Sequence, residues 1–230
     1  MSPRRPLAVV LAAVVPVCAG LLTGCGVTDA GIRPGQAVSI NGTTISVTRV
    51  DDVASSACAV LRSDPQFDGQ AIAGTTLRNA AQRGLSLEVM ADQLVDAFDV
   101  QVPDTDETAQ AYRETYASAD PDDVAAAEPV FVADQYFSNV LLAIGAEEAG
   151  ADAAQDAVVA AGVAAVQDWQ ADADIDTNPA FDAISVGDDQ ILTTRDDLSV
   201  ATTDFAVDAS AAEAPEGFAK DLPESQRCGG

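Results

Sequence analysis

Leu22-Thr23-Gly24-Cys25 is the first stretch whose residue types and spacing could do chemistry. Small residues ahead of a Cys, at the end of an apolar run, fit the bacterial lipobox, in which the sulfur takes a diacylglycerol before a signal peptidase cuts ahead of it. Residues 7–22 carry no charge and follow Arg4 and Arg5, so residues 1–24 read as an export signal rather than a membrane span. Cys18 is a poor competitor, because Val17 precedes it inside the apolar run. With lipid on Cys25, each buried CH2 contributes about 0.8 kcal/mol, and several acyl chains make a lasting anchor.

Two thiols remain, Cys58 and Cys228. In an exported domain such a pair suggests a disulfide, which would pin the C-terminus to the first helix and stabilise the fold by about 2–4 kcal/mol. The alternative is a buried thiol at Cys58 and a free one at Cys228. A catalytic thiol is disfavoured because the chain has no His to lower its pKa.

The same absence excludes serine-histidine triads, papain-like dyads and histidine-based metal centres. The chain has 37 Asp and Glu against 11 Lys and Arg, for a net charge of −26, which argues against binding a phosphate backbone. Loss of residues 1–24 removes two basic residues and no acidic ones, making the charge more negative still. Nucleic acid is therefore not an expected partner. The densest acidic run, Asp172, Asp174, Asp176, Asn178 and Asp182, looks superficially like a calcium loop. An EF-hand wants Gly at the sixth position and Glu at the twelfth, where this chain has Thr177 and Ala183. A solvated strand face is the better account, and no metal is expected there. Paired carboxylates for glycoside hydrolysis are expected by chance among so many acids, with Trp169 the sole tryptophan to stack on a sugar. No Gly-rich phosphate loop, G-x-S-x-G elbow or CxxC pair is present, so neither cofactor nor enzyme activity is expected.

The elements that must carry these residues follow from patterning. Residues 27–36 read as part of a flexible tether that begins at Cys25. Apolar and polar residues alternate on both sides of Asn41-Gly42, the strongest short hairpin signal. Ser46 then caps a helix with Val47, Val50, Val53, Ala57 and Leu61 at helical spacing, ending before Pro65. Further helices are expected at 72–82, broken at Gly84, at 86–98, at about 104–116 with Asp104 and Glu107 as a capping box, and from Asp120-Pro121 to a break at Pro129. Tyr136, Phe137, Val140, Leu141 and Ile144 then give a broad buried face, and residues 151–171 carry Val159, Val163, Val166 and Trp169 on one stripe. About six helices result. Met90 and the aromatic residues among these positions are read as core. Residues 173–177 alternate again and should return as a strand to the first hairpin. Beyond Asp182, Ile191, Leu192, Leu198, Val200, Phe205 and Val207 suggest short strands or extended chain.

The order of these motifs resembles the N-terminal domain of the SurA and PrsA extracytoplasmic foldases. The likeness runs over residues 36–200: V-S-I-N-G-T-T-I leading into a helix, the helices ending in V-Q-V-P-D, Asn178-Pro179-Ala180-Phe181 and a later L-S-V. It is closest to lipoproteins of high-GC Gram-positive bacteria that carry this domain. Full-length relatives insert a parvulin domain whose active site uses histidines; here there is one helix in that interval and no histidine, so prolyl isomerase activity is not implied. Ala180 and Asp182 replace an Arg and a Gly of the family's closing motif.

The expectation is a mainly α chain with a small β element (α+β), a SurA N-terminal-like helical domain closed by N- and C-terminal strands. Its parts are a lipoprotein signal peptide at 1–24, a tether at 25–36, the helical domain at 37–182 and a partly irregular extension at 183–230. By resemblance it is a non-catalytic chaperone-like protein for unfolded or envelope proteins, anchored by lipid at Cys25 on the extracytoplasmic face of the cell membrane. The alternatives are an envelope scaffold lipoprotein with one defined protein partner, or a cation- or small-ligand-binding lipoprotein.

Overall fold

The computed structural model describes residues 34–103, 106–150, 152–187, 191–194, 202–210, 215 and 217–230. The expected export signal, Cys25 and most of the expected tether lie outside them. Strands β1 (Gln36–Ile40) and β2 (Thr43–Ser46) form the expected hairpin. Asn41 and Gly42, at φ 48° and 85°, make the left-handed two-residue turn that matches strand twist. Helix α1 (Val47–Ser63) starts directly, with Ser46 Oγ accepting from the Arg49 amide at 3.0 Å. A short turn around Pro65 leads to β3 (Ala71–Ala73).

Helix α2 (Gly74–Phe98) is continuous where a break at Gly84 is expected, and α4 is continuous through Pro129. One packing feature explains both departures. A Cβ on Gly84 would collide with the Pro129 carbonyl, so the glycine lets α2 and α4 approach closely. Both residues are buried. The local cost, about 1 kcal/mol for the glycine and about 3 for the proline, is set against burial of the whole helix pair.

Helix α2 ends at Asp99 in the left-handed conformation, φ 51°. Helix α3 (Asp106–Thr115) carries Asp106 and Glu107 in its first turn, which suits the helix dipole; Asp104 lies outside the described residues. Helix α4 (Pro121–Ala149) is capped by Asp120, whose Oδ1 accepts from the Asp122 amide at 2.9 Å, and stops at Gly150. Helix α5 (Gln155–Asp172) crosses α4 where Gly145 meets the Val158 carbonyl and Gly162 meets that of Leu141; a Cβ at either would clash.

Strand β4 (Ile175–Thr177) returns to pair antiparallel with β1, giving the order β2-β1-β4. Next come the hairpin of β5 (Ala183–Val186) and β6 (Ile191–Thr194), α6 (Asp204–Ser210), α7 (Phe218–Asp221) and β7 (Arg227–Gly229). Helix α6 replaces the extended chain expected around Phe205 and Val207: Thr203 Oγ1 accepts from the Ala206 amide at 3.1 Å and starts a helix instead. Leu198 and Val200 lie outside the described residues. Five helices of ten or more residues and two shorter ones make up the described part, with small antiparallel sheets, so the chain is mainly α with a small β component.

The described residues belong to one compact unit. Val38 and Ile40 of β1, Val50 and Val53 of α1, Leu87, Met90 and Leu94 of α2, Phe137, Val140 and Ile144 of α4 and Val166 of α5 are fully or almost fully buried in its main core. Residues beyond 182 join it: Ile184, Val186 and Cys228 are buried there. A second cluster gathers Val60, Tyr112, Val124 and Val132, with the Tyr112 and Phe131 rings stacked at 4.9 Å.

Candidate functional site

The strand β7 pairs with β3 in the register Ile72↔Cys228, which brings Cys228 to α1. Cys58 and Cys228 are joined there, with sulfurs 2.03 Å and Cα atoms 5.6 Å apart. Cys228 is 1 % exposed and Cys58 is half-buried, so the bridge is part of the packing rather than a reactive thiol site. Cys25, the expected lipidation site, lies outside the described residues.

The acidic run does not gather. Asp182 accepts from the Asn79 side-chain Nδ2 at 3.1 Å, and Asn178 Nδ2 donates to the Gln36 carbonyl at 2.9 Å. Among the described residues, no three His, Cys, Asp or Glu side chains are grouped to hold a metal ion. One perturbed carboxyl stands elsewhere, on the face where α2 meets α4. Burial first, then the charge of Asp92, raises Glu88 to about 7; Arg49 pulls it down and Glu128 adds to the rise. The Tyr136 hydroxyl donates to Asp92 at 2.9 Å, and burial together with that bond pushes the phenol up to about 12. A carboxyl titrating near neutrality can move protons, but catalysis also needs a place for substrate beside it. None of the grooves described below is lined by Glu88.

A groove of about 620 Å³ runs where the C-terminal parts of α2 and α4 meet α5. Phe98 and Trp169 line it half-buried, with Ala161, Ala164 and Ala165 from α5. The small alanines leave the two rings' surfaces open instead of covering them. Glu148, Asp168 and Asp172 add exposed carboxylates to the same groove. Patterning puts Phe98 and Trp169 on core stripes; each does reach the core with part of its surface, and the sharing of one opening by three helices leaves the rest uncovered. The Gly145–Gly162 crossing sets how closely α4 and α5 flank this opening.

A second groove, about 480 Å³, lies between β4 and the β5–β6 hairpin, lined by Ile175, Thr177, Pro179, Phe181 and Ile184 among others. The hairpin is held to α5 by side-chain amides acting like a neighbouring strand. Gln170 Nε2 donates to the Ile184 carbonyl and its Oε1 accepts from the Val186 amide, both at 2.9 Å; Gln167 donates to the Val186 carbonyl at 3.2 Å. A third groove of about 270 Å³ lies between β3 and α7. Among the described residues no helix is long and apolar enough to cross a membrane. The grooves offer aromatic faces, strand backbone and carboxylates. The chain matches no protein-family model, no curated protein and no solved structure.

Proposed function

We propose that the chain is a non-catalytic, lipid-anchored extracytoplasmic protein that holds unfolded or partner polypeptides in the manner of a chaperone. The observation that carries this reading is the groove lined by Phe98 and Trp169. Its half-buried rings offer apolar and π surface to a client side chain, while Glu148, Asp168 and Asp172 keep the complex charged and soluble. The order of motifs that resembles the SurA and PrsA N-terminal domain supports the same role, and lipid on Cys25 would keep the groove at the membrane surface.

The test is an aggregation assay. The protein at stoichiometric amounts should slow clumping of a denatured client, and Phe98→Ala with Trp169→Ala should lose that effect while keeping the far-ultraviolet circular dichroism of a folded chain. No slowing with several clients, or equal slowing by the double variant, overturns the reading. Exposed apolar residues favour a second one, a scaffold with one defined partner: Phe205 is 56 % and Val207 52 % exposed on α6, with Phe205 against Phe218 at 5.2 Å. Capture of a single envelope protein, abolished by Phe205→Ser, would select it.

A further inference from the structure

The outer edge of β4 is open. In the β1–β4 ladder, the Asn41 amide donates to the Asp174 carbonyl and the Asn178 amide to that of Ala37, both at 2.8 Å. Asp174, Asp176 and Asn178 therefore direct their backbone groups toward β1, and by alternation Ile175 and Thr177 direct theirs away from it. No partner for those outward groups is found among the described residues. Side chains alternate too. Ile175 and Thr177 stand opposite the buried Ile40 and Val38, on the core side, where the groove reaches Phe181 and Ile184. Asp176 stands opposite Ser39 on the other face; Asp174, next along that face, is exposed, and neither carboxylate has an ion-pair partner among the described residues.

We propose that this edge is a second docking site, which takes an extended polypeptide segment with apolar and basic residues in alternation as a fourth strand beside β4. Main-chain bonds to Ile175 and Thr177 supply a sequence-tolerant grip. Apolar side chains of the segment enter the groove beside Phe181 and Ile184, and Lys or Arg on the opposite face lies across from Asp174 and Asp176, a favourable cross-strand pairing. Charge argues against a second copy as the occupant: β4 against β4 would set Asp174 and Asp176 against the same residues in a chain of net charge −26. The site shares no lining residue with the Trp169 groove and does not depend on that groove's holding a client.

The test is backbone amide hydrogen exchange at Ile175 and Thr177 in the full chain, alone and with a short peptide of alternating Val and Lys. Both amides should exchange freely alone and slow roughly tenfold or more with the peptide. A peptide N-methylated at the positions facing β4, or one with Glu for Lys, should give no slowing. Protection without peptide, as from a second copy or the chain's own residues, overturns the inference, as does equal slowing by the N-methylated peptide or none by the Val-Lys one. The aggregation assay reads client holding separately, so loss of either conclusion is visible without the other.

Discussion

The C-terminal half of the chain returns to N-terminal strands twice, and the two returns are held by different means. At β3–β7 the contact is a three-residue pairing locked by the Cys58–Cys228 bond, with Gly229 so close to Phe67 and the Gln70 carbonyl that a Cβ would clash. At β1–β4 the strand is equally short, and asparagines clip its ends. Asn41 Oδ1 accepts from the Asp174 amide at 2.8 Å, and Asn178 donates to the Gln36 carbonyl while accepting from the Ala180 amide at 3.0 Å. A covalent bond fixes β7 within its two-stranded sheet, whereas β4 is held by β1 and by side-chain amides along one edge. The free edge of β4 faces the groove that reaches Phe181 and Ile184.

The largest expected effect breaks the covalent return. Cys58→Ser with Cys228→Ser should lower stability by about 2–4 kcal/mol in denaturant unfolding. Hydrogen exchange should then rise at Ile72 before it rises at Ser39. Next, Gly145→Ala forces a Cβ against the Val158 carbonyl and should cost about 1–3 kcal/mol. Because it loosens the shared core, it should lower protection in both returns together. Asn178→Ala removes two side-chain hydrogen bonds and should cost about 1–2 kcal/mol, read as faster exchange in β4 with β7 unchanged.

The smallest effect is a pH dependence that favours neither return. Glu88 is raised from 4.5 to about 7, so the fold prefers its neutral form. Its contribution is full below about pH 4.5 and is lost as pH rises through about 7. Chemical denaturation across this window should show stability falling with rising pH, and Glu88→Gln should flatten that slope by no more than about 1 kcal/mol, allowing for solvent screening.

Local chemistry was legible and cross-helix geometry was not. The Asn41-Gly42 turn, the Ser46 and Asp120 caps and the return of residues 175–177 each follow from a few neighbouring residues, and all are present. The Cys58–Cys228 bond was legible from the number of cysteines and the expectation that the chain is exported. Gly84 and Pro129 mislead when read singly, because their worth is set by each other across the α2–α4 contact. Phe205 and Val207 alternate like a strand, yet the hydroxyl of Thr203 starts a helix there. The groove was the least legible feature. Phe98 and Trp169 lie far apart in sequence and on ordinary core stripes, and the only hint is the run of alanines at Ala161, Ala164 and Ala165 that leaves their rings uncovered.

Trp169 is the chain's single tryptophan and lines the proposed client groove, so its fluorescence reports on that groove directly. Titration with a reduced, alkylated and permanently unfolded polypeptide should shift or quench its emission to saturation, and Phe98→Asp should abolish the change. An emission spectrum that stays constant while the polypeptide is demonstrably bound would contradict the account, because the client would then lie elsewhere; absence of any binding would contradict it outright.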